Sequence, residues 1–275
     1  MSDATEKKMT LGEHLEELRR RVIYALAGPL VGFVVCFFLL RDWIMLFILR
    51  PCYPHWSLFG IPILDVQPPS DNVILTLNAP YTGIFTYMYL SLIAACILTA
   101  PWTLYHLWAF VAAGLYPHER RKVVSYGTGS IGLFFLGVAF FFFVVYPLAI
   151  AVLYGFGGQF NDFLVAHGFP KMLDNSTLLD GYVRFVLMMA LVCGLMFELP
   201  LVVLFLGRTG IVSLDRLKRS RRLAILIIFI VSAIASPGPD VVSQLCLAIP
   251  MVVLYELGIL LVWLTRRKQH PDAAL

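Results

Sequence analysis

VSYGTGSIGLFFLGVAFFFFVVY, residues Val124–Tyr146, runs for 23 residues without one charged side chain. At 1.5 Å per residue a helix of that length reaches about 34 Å, enough to cross the roughly 30 Å hydrocarbon core of a bilayer. Its apolar residues neither alternate with period two nor gather on one helical stripe, which excludes a half-buried strand and a surface helix of a soluble domain. Five further runs accompany it: Val22–Leu40, Thr82–His106, Tyr182–Leu206, Leu223–Ala235 and Gln244–Leu264. The 275 residues are 60% hydrophobic and 14% charged, with mean hydropathy +0.83, where soluble domains carry about a quarter charged residues. A soluble globular domain, a disordered chain, a disulfide scaffold and a nucleic-acid module are all excluded. The predicted fold is all-α: a polytopic membrane protein with six transmembrane helices, its bent spans forming a concave bundle. Residues 1–21 read as an N-terminal tail and amphipathic helix, 22–264 as one membrane domain and 265–275 as a C-terminal tail.

Orientation follows from the cations, because loops retained in the cytoplasm keep Lys and Arg. Lys7, Lys8 and Arg19–Arg21 precede the first span, and Arg120, Arg121 and Lys122 lie between the second and third. Arg208, Arg216, Lys218, Arg219, Arg221 and Arg222 follow the fourth, and Arg266, Arg267 and Lys268 the sixth, giving seventeen of the 21 cations on one side. Both termini are therefore expected in the cytoplasm. The upstream region carries Glu13, Glu16 and Glu17, and no small-residue cleavage pattern follows, so the first run reads as a retained anchor rather than a signal peptide. The fifth run is short, which calls for local thinning of the bilayer or cover by partner proteins. Four of the five cysteines (Cys36, Cys96, Cys193, Cys246) fall within spans and Cys52 stands alone outside. With no paired Cys/His spacing, no metal and no cofactor are expected.

Thr10 and Glu13 form a capping box, and Leu11, Leu15, Leu18 and Val22 make an apolar stripe, so a helix along the membrane surface is expected to start here. Its acids either pair within the helix (Glu16 with Arg20, Glu17 with Arg21) or face a ligand. Glu16, Glu17 and Arg21 also match a loose E-E-x-x-x-R pattern of CAAX-type intramembrane proteases, but they precede the first span and no span carries an accompanying metal or histidine constellation.

Glu198, within Met196-Phe197-Glu198-Leu199-Pro200, is an acid at membrane depth, which costs about 2.5–3.5 kcal/mol on insertion scales. Pro200 has no N–H for the Met196 carbonyl, so a free acceptor lies one turn from the acid. The pair reads either as a polar docking niche or as a group satisfied by a Tyr or Ser of a neighbouring span. Glu256 and Arg184 are further intramembrane charges, with Arg184 placed to snorkel. Pro29, Pro101, Pro147, Pro200 and Pro250 are expected to interrupt or end helices. Asp240, after the Pro237-Gly238-Pro239 turn, is best read as a cap of the last span.

His14-Leu15-Glu16-Glu17-Leu18-Arg19, Ala100-Pro101-Trp102, Tyr105 to Phe110, Leu115-Tyr116-Pro117-His118-Glu119-Arg120-Arg121, Phe197-Glu198-Leu199-Pro200, and Pro239-Asp240 with Gln244 resemble the multispanning TatC subunits of twin-arginine translocases. The resemblance extends from Thr10 to Leu264 and is poorest in the loops Cys52–Pro80 and Gly155–Asp180. It implies a receptor, not an enzyme, that binds signal peptides carrying two adjacent arginines. It further implies recruitment of small single-span subunits of TatA and TatB type, and export of folded proteins driven by the proton gradient, across the cell's inner (plasma) membrane and in a self-associating complex. The implied signal-peptide residues are Glu17 and Glu119, accompanied by Arg19, Phe110, Leu115 and Pro101. Glu198 is implied as the docking point for a partner helix, and Pro239, Asp240 and Gln244 as a turn. Electrostatics agrees with a demand for acids: a net cationic face repels a di-arginine peptide unless local carboxylates accept its guanidinium forks, which Lys satisfies less well. Two alternatives compete. A small secondary transporter would use Glu198, Glu256 and Arg184 as an ion path, but wants related halves that the sequence lacks. An intramembrane protease would want a nucleophile and base on the spans.

Overall fold

In lipid every backbone N–H and C=O must be satisfied within the chain, and apolar runs of this length do so as helices. The computed structural model describes residues 11–49, 57–58, 61–62, 75–113, 117–150, 162–170, 177–210, 212–235 and 241–269. Helix α1 (Leu11–Val35) passes through a π-helical turn at Cys36–Leu40 into α2 (Arg41–Leu49). Then come α3 (Thr82–Leu98), α4 (Ala100–Ala113) and α5 (Pro117–Phe140). A second π-helical turn, Phe141–Val145, leads into a helical stretch over 146–150. A short helix α6 spans 162–166, followed by α7 (Leu179–Met196), α8 (Leu199–Arg208), α9 (Leu214–Arg219), α10 (Arg221–Ala235) and α11 (Val241–Gln269).

Among the described residues, four helical stretches are long and apolar enough to cross a bilayer: Arg19–Leu49, Tyr126–Ile150, Leu179–Arg208 and Gln244–Thr265. α3 and α4 together supply a fifth, bent by 53°. The sixth expected span is α10, whose 15 residues reach only about 22 Å. Its shortness, anticipated from Leu223–Ala235, is thus retained in the fold.

α7 is the axis of the core. Val183, Val186, Met189, Ala190 and Cys193 are buried along it, and it packs against α3, α5 and α11. Small residues let the backbones approach: a Cβ on Gly194 would fall 2.7 Å from the Phe134 ring of α5, and one on Gly207 would fall 2.6 Å from Val262 of α11. Such contacts stand in for the hydrophobic drive that lipid does not provide. Tyr182 donates to the Ile48 carbonyl at 2.8 Å and lies 2.9 Å from the Tyr146 hydroxyl, pinning the end of α2 to α7.

The π-helical turns, which carry Phe-rich sequence, went unforeseen, as did the helical continuation beyond Leu40. Arg41 remains inside the helix, half exposed, with its guanidinium over Tyr87 at 5.3 Å and Phe37 at 5.7 Å and its Nε 3.7 Å from Asp42, contacts that offset part of the cost of the charge. Two of the five prolines act as expected: the 53° bend falls at Thr99, just before Pro101, and the α7–α8 break falls at Phe197–Glu198, just before Pro200. Pro147 follows the second π-helical turn. Pro29 and Pro250, however, lie inside unbroken α1 and α11. Membrane helices tolerate the lost bond where neighbouring groups re-satisfy the backbone. α1 is likewise unbroken at Val22, so the amphipathic segment continues the span instead of starting a separate surface helix. Thr10, and with it the capping box, lies outside the described residues.

Among the described residues, two short ladders lie in the loops. β1 (Ser57–Leu58) pairs antiparallel with β2 (Ile61–Pro62). β3 (Leu75–Thr76) pairs in parallel with β4 (Thr177–Leu178), joining the segment before α3 to the one before α7.

Candidate functional site

At the cationic end, α1 and α4 are fastened by a polar-aromatic joint. The Trp102 indole N–H donates to the Tyr24 carbonyl at 2.7 Å, and the Thr103 hydroxyl donates to the Ala25 carbonyl at 3.4 Å. His106 stacks on Tyr24 at 5.8 Å and meets Trp102 edge-on at 4.7 Å, while the Arg20 guanidinium caps Tyr24 at 5.6 Å. Gly28 is obligatory here, because a Cβ would overlap the Trp102 ring. The joint fixes the α1 segment carrying Glu16 and Arg19, both exposed, beside the helix that carries Pro101 and Phe110, both half-buried. α5 packs on the far flank of α4. Glu17 and Glu119 lie on α1 and α5, but their side chains, like the whole of Leu115, fall outside the described residues.

The second constellation surrounds Glu198, about 15 Å of helix from Arg208. It ends the break between α7 and α8, and its carbonyl accepts from Leu201 and Val202 at 3.1 and 3.0 Å. The side chain is 9% exposed. Ser130 of α5, fully buried, donates to Oε2 at 2.5 Å, whereas the buried Oε1 has no hydrogen-bond partner among the described residues. A serine of a neighbouring span thus satisfies one oxygen, as the second reading of this acid allowed, and the other oxygen has no partner among the described residues. Sequence reading did not single out Ser130. Its partner is set by the close approach of α5 to α7, which Gly137 against the Cys193 carbonyl and Gly194 against Phe134 permit.

The other intramembrane charges do not join Glu198 in a path. Glu256 accepts from Arg221 at 2.8 Å, fastening α11 to α10 with both side chains half exposed. Arg184 lies near the opposite end, its guanidinium 5.6 Å from the Tyr89 ring. Gln244 donates to the Phe229 carbonyl at 3.1 Å and so ties α11 to α10 across the turn. Pro239 and Asp240 lie outside the described residues.

A family model described as Sec-independent protein translocase protein (TatC) matches residues 13–250. The chain belongs to the TatC family. It is 34% identical over 262 residues to the Aquifex aeolicus Sec-independent protein translocase protein TatC, covering 95% of this chain and 98% of that one. It is 33% identical over 257 residues to the TatC of Escherichia coli K12, covering 93% and 89%. A crystal structure described as the twin arginine translocase receptor TatC superposes with TM-score 0.72 at 32% identity, over 93% of this chain and all of that one. Membership of the family thus extends over both constellations, and the α1–α4 joint and the Glu198 niche are parts of one TatC fold.

Proposed function

We propose that this chain is the receptor and core subunit of a twin-arginine translocase, binding twin-arginine signal peptides at its cytoplasmic face. The observation that carries the reading is similarity to TatC proteins along almost the whole chain, including a structure described as a translocase receptor. Both termini lie in the cytoplasm of a plasma-membrane protein, in accord with the cation bias. Residues 1–21, 22–264 and 265–275 act as cytoplasmic segment, six-span membrane domain and cytoplasmic tail. Glu17 and Glu119 accept the two guanidinium forks, Arg19 orders the adjacent acids, and Pro101, Phe110 and Leu115 shape the apolar approach. Desolvated carboxylate–guanidinium contacts, made bidentate, discriminate Arg from Lys. The signal's apolar stretch then packs beside the spans. Glu198, with one oxygen free, receives a polar donor from the membrane helix of a TatA- or TatB-type subunit. The proton gradient supplies the energy of export, and no catalytic step is assigned to the chain.

The test is binding of a fluorescent twin-arginine signal peptide to the purified chain in nanodiscs. Glu17→Ala and Glu119→Ala each weaken binding at least about tenfold, equivalent to roughly 1.4 kcal/mol, and a di-lysine peptide binds the wild type as weakly. Unchanged affinity in both variants overturns the assignment.

A further inference from the structure

At the end opposite the cationic face, α1, α3 and α7 enclose an open cavity of about 790 Å³. Asn78, Tyr81 and Asp180 stand at its outer part, and Phe33, Phe85 and Leu92 line its wall. The β3–β4 pair braces this rim, with Thr76 two residues before Asn78 and Leu178 two before Asp180. From Thr82 to Leu92 is ten residues, about 15 Å of helix, or half of the roughly 30 Å hydrocarbon thickness. The cavity is therefore one leaflet deep. It also falls within the size range of ligand pockets, about 300–1,000 Å³, and has their usual mixture of apolar wall and few polar groups.

Thr86 in its lining donates to the Thr82 carbonyl at 2.8 Å, but two other polar atoms there have no such bond. Asp180 Oδ1 and the Tyr89 hydroxyl are shielded from solvent and have no hydrogen-bond partner among the described residues. Native folds seldom leave such atoms unpaired. Arg184 lines the same cavity, one helical turn further in, and its recorded contact is with the face of the Tyr89 ring. Asp180 and Arg184 have i, i+4 spacing, yet no ion pair joins them among the described residues. The acid therefore sits nearer the membrane surface and the cation about 6 Å deeper along α7.

We propose that this cavity holds one phospholipid of the outer-facing leaflet, with a zwitterionic amine–phosphate headgroup. The phosphate lies on Arg184, the terminal ammonium on Asp180, and an acyl chain along Phe33, Phe85 and Leu92. The order of charge argues for this occupant, because the ammonium of such a headgroup lies outside its phosphate as Asp180 lies outside Arg184. An anionic lipid without an amine would leave Asp180 unpaired beside a second negative charge. A free phosphate would leave the apolar wall bare. The proposal requires that the chain span a bilayer with its cationic end inside, and it stands apart from the translocase reading.

Native mass spectrometry of the full chain, supplied with phosphatidylethanolamine or phosphatidylglycerol, tests it. The wild type is expected to retain one phosphatidylethanolamine under activation that strips phosphatidylglycerol. Asp180→Asn and Arg184→Gln weaken retention about tenfold each, and Leu92→Trp weakens it by filling the wall while leaving the charges intact. Inorganic phosphate does not displace the lipid. Equal retention of both lipids, displacement by phosphate, or retention unchanged in all three variants overturns the proposal. In native membranes, p-benzoylphenylalanine placed at Phe85 cross-links to lipid, and cross-linking to polypeptide alone also overturns it.

Discussion

Glu198 and Ser130 form a pair whose members cannot be removed independently. Deleting a partner leaves a buried oxygen unpaired at about 1–3 kcal/mol, whereas replacing both groups with apolar ones is nearly neutral. Ser130→Ala is therefore expected to lower the thermal midpoint of the detergent-solubilised chain, and Ser130→Ala with Glu198→Leu to recover most of the loss. A double variant no more stable than Ser130→Ala would show that Oε2 is satisfied elsewhere. The Trp102 indole supplies a second case. Trp102→Phe leaves a smaller aromatic ring and removes the donor to Tyr24, for a loss of at least about 1 kcal/mol. Gly28→Val is worse, because its side chain must displace that ring, and overpacking costs about 1–3 kcal/mol. Unfolding measured by tryptophan-independent circular dichroism ranks the two. Glu198 was legible as an anomaly because a carboxylate amid apolar residues is conspicuous in one dimension. Ser130 was not, since a serine's partner depends on which glycines bring two helices together.

The helices themselves depart from straight rods where the sequence removes donors. At Pro101 the missing N–H leaves the Ile97 carbonyl without its i+4 partner, and the α3–α4 pair bends by 53°. Pro101→Ala restores the donor, and spin labels at Gly83 and Leu107 should then separate by about 3 Å more, from helix rise alone. An unchanged distance by pulsed electron resonance would place the cause of the bend in packing on α1. Apolar length made five spans legible, and the α10 run was recognised as short. The π-helical turns and the survival of α1 and α11 through Pro29 and Pro250 were not legible, because they depend on which neighbours take up the freed carbonyls. The extension through Arg41 was hidden for a similar reason: only the fold brings Tyr87 under the guanidinium.

For the whole molecule, charge placement carries the topological argument. Cysteine placed at Asp42 should react with an impermeant maleimide from outside the cell, and cysteine placed at Lys218 only after permeabilisation; the reverse pattern would invert the fold in the membrane. Family resemblance was readable along the chain because several separated motifs occur in order, while the outer cavity was not, since Phe33, Leu92 and Arg184 come from three distant helices. The same holds for the two-residue parallel ladder between Leu75–Thr76 and Thr177–Leu178. Those dipeptides are separated by two membrane crossings' worth of chain. During synthesis the earlier one must wait on the outer surface until the later one has been delivered there, so a ribosome-stalled fragment ending before Thr177 carries an unlatched collar. Closure of that collar is thus a late event of biogenesis, dependent on correct insertion of everything between.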